Sequence, residues 1–410
     1  MTSEAPDSTH RPAVRRVLVT GGGIAGPAVA YWLARTGAEV DIVERSAANP
    51  RRGYVVNAFG QCLDVLRAMG LDEAIDEARL RIDTTIGLDD GAAPLYRRDL
   101  RSLTDGSRGI AAYRSDLASM VESAALACPG VRLERGRTVR DLVFDDERVA
   151  VTLSDDSEAD YDLVIGADGV HSSMRRRYVT EDAEQRLPIA FVGATTTDTV
   201  GLDPATRLEY CSIGANGVLV ASGDGQATLV IFVRSDVLPD DASTAPLAAL
   251  RQITASWPEP FHTIANTTSE DDEVFSDRLV QVQLPTWSVP RLVLLGDAAA
   301  CMSPLSGRGV DAAVTGAFIL ARALGSSSAD LPAALRSYEE QLRPEIEKLQ
   351  AAAVRRASMS APRNRFQVAA LRASLRYTPD VLFQRLIERE FTNPLAPALH
   401  TGHINGDIDR

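Results

Sequence analysis

The chain has 410 residues, 45% hydrophobic and 24% charged, with a formal net charge of −13. That length suits a large core divided between two entwined domains, and the acidic balance argues against a nucleic-acid or anionic-membrane surface. No run approaches the roughly 18 uncharged apolar residues of a membrane helix, and Cys62, Cys128, Cys211 and Cys301 show no metal or redox spacing.

Residues 1–14 lack an apolar signal core and read as a disordered tail, as expected of a cytoplasmic protein. Val17 to Thr20 is a short β-branched run, hence a buried parallel strand. The next segment, Gly21-Gly22-Gly23-Ile24-Ala25-Gly26, fits G-x-G-x-x-G at Gly21, Gly23 and Gly26. A helix from Pro27 to Thr36 follows, ended by Gly37. A strand from Glu39 to Val43 then leads into Glu44 and Arg45. Strand, glycine turn, helix, strand and acid in this order form a dinucleotide fingerprint: the glycines admit a pyrophosphate and Glu44 takes ribose hydroxyls.

A helix from Gly60 to Met69, closed by Gly70, ends this unit. Arg114 opens the next helix. Strands near 131–135, 138–144 and 148–153 read as an antiparallel ribbon, with Asp145-Asp146 turning between the last two. Asp162 to Ala167 is another buried strand, and Asp168-Gly169 lies at its C-terminal end, where open α/β sheets bind ligands. Ser172 or Ser173 is placed to cap the following helix. The run Arg175-Arg176-Arg177 reads as a solvated helix face.

Short strands then appear at Ile189–Thr195, Arg207–Ser212, Val218–Ala221, Thr228–Val233 and Leu279–Gln283. Asn216-Gly217 and Asp224-Gly225 read as turns between them. This antiparallel sheet is the natural wall of a substrate pocket. Tyr210, Phe232 and Met302 are its candidate lining, against the commoner role of ordinary core.

The segment from Arg291 to Ala323 is a strand (Leu292 to Leu295), the turn Gly296-Asp297, a loop through Pro304, the turn Gly307-Arg308-Gly309 and an apolar helix from Val310. An acid at a strand end can hold a polyol hydroxyl, and free N–H groups at a helix start can hold negative charge. A flavin presents both, as its ribityl chain and its N1–C2=O edge. Beyond Leu331 two amphipathic helices are expected, at about 332–359 and 364–391, the first broken or kinked at Pro344. Residues 396–410 read as a second tail.

Other candidates are weaker. Asp89-Asp90, Asp145-Asp146, Asp155-Asp156, Asp240-Asp241 and Asp271-Asp272 sit in turn-like contexts and read as solvated loops. None of the five histidines has metal-ligand spacing; His171 reads as structural capping and His262 as packing or surface. Ser303 and Ser306, which flank Pro304, lack a partnered His–acid pair for nucleophilic catalysis, and no metal site is expected.

The three motifs, in this order and spacing, resemble the flavin-dependent aromatic hydroxylases of the para-hydroxybenzoate hydroxylase fold. GGGIAGPAVAYWLARTGAEVDIVERS and SPLSGRG are most similar to tetracycline-inactivating and natural-product tailoring monooxygenases. The resemblance implies an α/β fold. A Rossmann-like FAD-binding domain with a three-stranded β ribbon (15–80, 107–178 and 285–330) is interleaved with an antiparallel-sheet substrate domain (81–106 and 179–284). Helices at 331–395 follow.

By the same resemblance Gly21, Gly23, Ile24, Ala25, Gly26, Glu44 and Arg45 surround the ADP half of FAD. Arg114 of AYRSDL contacts the flavin side. Asp168 and Gly169 serve both FAD and NAD(P)H. Gly296 and Asp297 bind the ribityl chain or pyrophosphate, and Pro304, Gly307, Gly309 and Val310 surround the isoalloxazine. Two positions depart from the family pattern: Ala300 replaces a common His, and Asp311 stands where Asn or Ser is frequent. An acid there either opposes the reduced flavin anion or caps the helix and points away.

The implied activity is hydroxylation of an aromatic or enolic, polyketide-like small molecule through a flavin C4a-hydroperoxide, with NADPH or NADH and O2 as cosubstrates. The flavin then carries the chemistry, and no catalytic side chain is assigned. A monomer or homodimer is expected, with no nucleic-acid or membrane partner. The rivals are a flavin oxidoreductase that inserts no oxygen and a flavin-binding sensor. A halogenase is disfavoured because no lysine precedes Lys348.

Overall fold

The computed structural model describes residues 14–48, 53–104, 106, 108–325, 330–391 and 395. Residues 1–13 and 396–410, read above as tails, lie outside the described residues. Val14, assigned to the first tail, is instead buried in the core.

The first sheet has six strands, and four of them carry the site: Glu39–Glu44, Arg16–Thr20, Leu163–Gly166 and Leu292–Leu294 are parallel neighbours in that order. Their apolar runs fit burial on both faces. Helix Ala25–Arg35 packs against helix Gly309–Gly325, with the Trp32 and Phe318 rings edge to face at 4.9 Å. Three of these adjacent strands end in the three motif turns. Segments nearly 300 residues apart in the chain therefore meet along one sheet edge, the position where open α/β sheets take ligands.

The ribbon is shifted from expectation. Val131–Arg135 is not part of it but pairs in parallel with Glu39–Glu44, at the edge of the large sheet. The third ribbon strand is Glu158–Tyr161, paired with Val149–Leu153. A one-sided edge strand alternates much as a ribbon strand does, so periodicity alone cannot separate them. The missed strand is short and hides behind a turn at Asp155-Asp156, where Asp156 has φ 66°.

The second sheet has seven strands in the order Glu273–Val282, Glu184–Thr196, Ala227–Arg234, Ala215–Ala221, Thr206–Ser212, Thr84–Leu88 and Pro94–Asp99. All neighbours are antiparallel except Thr206–Ser212 with Thr84–Leu88. Asn216-Gly217 is not a turn: the strand starts at Ala215 and runs through both residues. A side-chain carbon on Gly217 would lie 2.3 Å from the Trp257 ring, so this glycine serves close packing. Asp224-Gly225 is a turn, with Gly225 at φ 85°.

Helix Leu331–Ser360 runs unbroken through Pro344. Tertiary contacts beside the proline hold it: Arg343 Nη1 donates to Leu284 O at 2.8 Å, and Glu339 Oε2 accepts from Trp287 N at 2.9 Å. The helix expected over 364–391 is two helices, Arg365–Tyr377 and Asp380–Phe391. Pro379 forces Thr378 into the extended conformation (ψ 121°) and ends the first.

Candidate active site

A cavity of about 380 Å³ lies between the ligand-binding edge of the first sheet and one face of the second. Gly23, Ile24 and Ala25 border it from the first motif, and Gly169 from the second. Asp297, Pro304, Gly307, Gly309 and Val310 border it from the third, and Arg114 reaches in from its helix start. Gly21, Gly26, Glu44, Arg45, Asp168 and Gly296 do not line the cavity; they lie in or behind the same turns.

The turns are tightly built. A side-chain carbon on Gly21 would lie 2.3 Å from Ala167 O, and one on Gly26 would lie 2.0 Å from Gly21 O. Above Gly23 the space is open: the nearest neighbour of such a carbon is Arg114 Nη2 at 3.9 Å. Glu44 Oε2 accepts a hydrogen bond from Gly22 N at 2.7 Å, placing the acid at the same glycine turn.

Asp168 Oδ2 accepts from Ser173 N at 2.7 Å and Ser173 Oγ at 2.9 Å, while its Oδ1 is buried with no partner. Ser172 caps the helix, its Oγ accepting from Arg175 N at 2.9 Å. The reading of Arg175 as solvated is overturned. Its side chain is fully buried and donates to Val170 O at 2.6 Å, Ala298 O at 3.1 Å and Glu184 Oε1 at 2.6 Å. It ties the second motif, the third motif and the second sheet to one cation. Arg176 and Arg177 are exposed. His171 is also exposed, 3.6 Å from Asp277, and caps nothing.

Asp297 faces the cavity and is open to it. Enclosure by surrounding protein raises its carboxyl above the usual range, against the pull of Arg114 and then Arg175. The Asp311 question resolves away from the cavity: its Oδ1 accepts from Phe59 N at 2.9 Å and its Oδ2 from Arg308 Nε. Burial raises this carboxyl to about 6, although Arg308 opposes the shift.

The far wall of the cavity is the second sheet. Phe232 and Met302 line it, but Tyr210 does not. Strand side chains alternate, so Tyr210 points to the opposite face from Arg207 and Glu209. There it packs against Trp257 with ring centroids 5.0 Å apart, and its hydroxyl donates to Asp90 at 2.7 Å. Of the residues the sequence reading missed, Arg207 matters most. It borders the cavity among Val218, Val220 and Val230, and pairs with half-buried Glu209. The signal was present: Arg207 and Glu209 are two residues apart on an expected strand and so share a face.

Glu209 is held by Tyr96, whose hydroxyl donates to Oε2 at 2.6 Å. Tyr96, Gly87 and Glu209 are directly opposed across three strands. A side-chain carbon on Gly87 would fall 2.1 Å from the Tyr96 ring, so only glycine lets that ring cross the middle strand. Burial pushes the Glu209 carboxyl up, and the charge of Arg207 with the Tyr96 hydrogen bond more than reverses this, leaving it below the usual range.

Together these features make a glycine-lined edge with an open carboxylate, facing a mostly apolar chamber. The open space over Gly23, the unpartnered Asp168 Oδ1, the cavity-facing Asp297 and the free N–H groups at Gly309 and Val310 fit FAD. Residues 15–353 match the family described as FAD binding domain. A flavin-dependent monooxygenase from an unknown prokaryotic organism is 30% identical over 345 residues, covering 81% of this chain and 86% of that one. Monooxygenase CTB7 of Cercospora beticola is 31% identical over 355 residues, covering 79% and 82%. Among solved structures, tetracycline destructase Tet(55) superposes with a TM-score of 0.78 at 23% identity, covering 94% of this chain and 99% of that one. Klebsiella pneumoniae HpxO, complexed with FAD and uric acid, gives a TM-score of 0.80 at 20% identity, covering 95% and 100%. The chain belongs to the FAD-binding flavoprotein monooxygenases of the para-hydroxybenzoate hydroxylase type.

Proposed function

We propose that the protein uses FAD, NADPH or NADH, and O2 to hydroxylate an aromatic or enolic small molecule of polyketide type. The observation that carries this reading is the single chamber with two unlike ends. One end has the glycine turns, Asp297 and a helix start; the other has an apolar sheet face carrying one arginine. FAD bound at the first end would supply the electrons and activated oxygen. The chain itself contributes placement and exclusion of water.

Gly21, Gly23, Gly26 and Glu44 would hold the ADP half of the cofactor, Arg114, Asp168 and Asp297 its middle, and Gly307, Gly309 and Val310 its ring edge. Val218, Val220, Val230 and Phe232 would pack against the carbon skeleton of the substrate. Arg207 would hold a phenolate, enolate or carbonyl oxygen, because a guanidinium in an apolar chamber favours an oxygen acceptor. Glu209 and Tyr96 would fix its direction. Apolar walls around the reacting atoms limit loss of activated oxygen as peroxide. The name of one structural neighbour, a tetracycline destructase, supports this substrate class.

The test is oxidation of NADPH and NADH by purified FAD-loaded protein across a panel of phenolic and polyketide compounds, run under ¹⁸O2. One labelled oxygen in the product is expected. Label confined to peroxide or water, with a desaturated or reduced product, would assign the chain to the non-oxygenating alternative.

A further inference from the structure

Four buried hydroxyls, of Thr195, Thr228, Tyr113 and Ser222, form a continuous chain at the substrate end of the chamber. Thr195 Oγ1 donates to Gly53 O at 3.1 Å and lies 2.9 Å from Thr228 Oγ1. Thr228 Oγ1 reaches the Tyr113 hydroxyl at 3.3 Å, and that hydroxyl reaches Ser222 Oγ at 3.3 Å. Ser222 Oγ donates to the carboxylate of Asp224, which is exposed. Of the four hydroxyl side chains, Thr228 is the one that borders the cavity.

The two ends of this chain set its polarity. A peptide carbonyl and a carboxylate accept hydrogen bonds and donate none. Five links join Gly53 O to Asp224, and the four hydroxyls supply one proton each to make them. The chain is one proton short. Ser222 has a further acceptor in Gln226 O at 3.3 Å, which deepens the shortage. If Thr228 turned its proton toward the cavity, a second buried link would go unmade, and a buried polar atom left without a partner is costly. Thr228 therefore offers the cavity a lone pair and no donor.

The sheet sets this lone pair in a row with the arginine of the chamber. Arg207, Val220 and Thr228 are directly opposed on three neighbouring strands, so they share one face and border the cavity together. Arg207 can only donate, Val220 meets carbon, and Thr228 accepts. The backbones of Arg207 and Thr228 are two strand spacings apart, roughly 9.5 Å. We infer that Thr228 selects substrates that carry a hydroxyl or N–H donor at the opposite end of the ring system from the oxygen held by Arg207. A ketone or methyl ether at the Thr228 end would set lone pair against lone pair. The inference rests on the proposed function, to which it adds a second polar contact and hence a hydroxy-ketone or hydroxy-enolate substrate class.

The test measures binding of two probes to the FAD-loaded protein by calorimetry, with no NADPH or NADH present. One is 6-hydroxy-1-tetralone, with a carbonyl at one end and a phenolic hydroxyl at the other. The second is 6-methoxy-1-tetralone, which can only accept. The phenol is expected to bind roughly tenfold more tightly. Thr228→Val keeps the side-chain shape and removes the lone pair, so the phenol should weaken to the level of the ether. Thr195→Val combined with Ser222→Ala leaves one link for two protons, so Thr228 can donate to the cavity. There the gap between the probes should close to within about threefold, although neither changed residue borders the cavity. FAD content and circular dichroism should stay at wild-type values in both variants. Equal affinities in the wild type would overturn the inference, as would failure of the phenol to bind. So would a preference that survives Thr228→Val, which would assign it to the bulk of the methyl group, or one unaltered in the double variant. The proposed function fails separately: phenol-selective binding with no ¹⁸O in any product would remove the hydroxylation reading and leave the role of Thr228 in place.

Discussion

Asp297 is the acid whose position says most about the cofactor. It is open to the cavity, beside Arg114 and the Gly309 turn. Asp297→Ala should leave the fold intact and weaken FAD by one to two decades in a flavin-fluorescence titration, since a charge-assisted hydrogen bond contributes roughly 1.5–3 kcal/mol. Arg207 acts at the other end. Arg207→Met should raise KM for substrate by one to two decades on the same scale, roughly 1.5–3 kcal/mol, while FAD affinity is unchanged. Tyr96→Phe should raise KM by less, because the arginine remains and only its support is loosened. Equal losses in FAD binding for these variants would show that they disturb the fold and not the substrate end.

Asp311 gives a pH signature. Its folded-state value of about 6 lies above the 3.8 of an ordinary aspartate. For an acid raised in this way, the folded state holds the proton more tightly. The contribution to stability is fully present below about 3.8 and is lost as pH rises through about 6. The loss is on the order of 3 kcal/mol. Chemical denaturation between pH 4 and 7 should show this slope, and Asp311→Asn should remove it. A slope unchanged in that variant would place its origin elsewhere.

At the scale of elements, the sheet rows explain residues that look arbitrary in the chain. Gly87 exists beneath a tyrosine ring that must cross a strand to reach Glu209. Gly87→Val should displace Tyr96, release Arg207 from its fixed direction and reproduce the KM effect of the tyrosine change, with an added loss of stability. Arg98 joins strand Pro94–Asp99 to the two C-terminal helices through Asp380 and the carbonyls of Leu375 and Thr378. Arg98→Ala should free those helices, read as faster proteolysis between residues 360 and 391 with FAD still bound. Protection equal to wild type would show that apolar packing alone holds them.

At the scale of the whole molecule, the cofactor site is built from three chain segments that meet only in the folded state. FAD should therefore stabilise the entire protein: ligand at a hundredfold excess over its dissociation constant adds about 2.7 kcal/mol. Removing FAD should lower the Tm, and re-adding it should restore the wild-type value. In Asp297→Ala the same titration should require more FAD for the same gain.

The dinucleotide turn, the Asp-Gly strand and the Gly-Asp turn were legible in the chain because each is local: glycine, acid and strand run lie within a few residues, and their chemistry follows from that spacing. The two-layer α/β class was legible for the same reason, since continuous and alternating apolar runs differ by period. Pairing was not. Val131–Arg135 and Glu158–Tyr161 could be assigned to a sheet only by their neighbours, and Pro344 could be read as no break only with Arg343 tied to Leu284. Side-chain direction was decided by tertiary structure as well. Arg175 is a buried clamp although its run looks solvated. Tyr210 turns from the chamber that Arg207 enters, and Asp311 faces Arg308 and the Phe59 N–H. Local sequence determines which turns can bind a phosphate or a polyol; only the packing of distant strands determines which side chains share the resulting space.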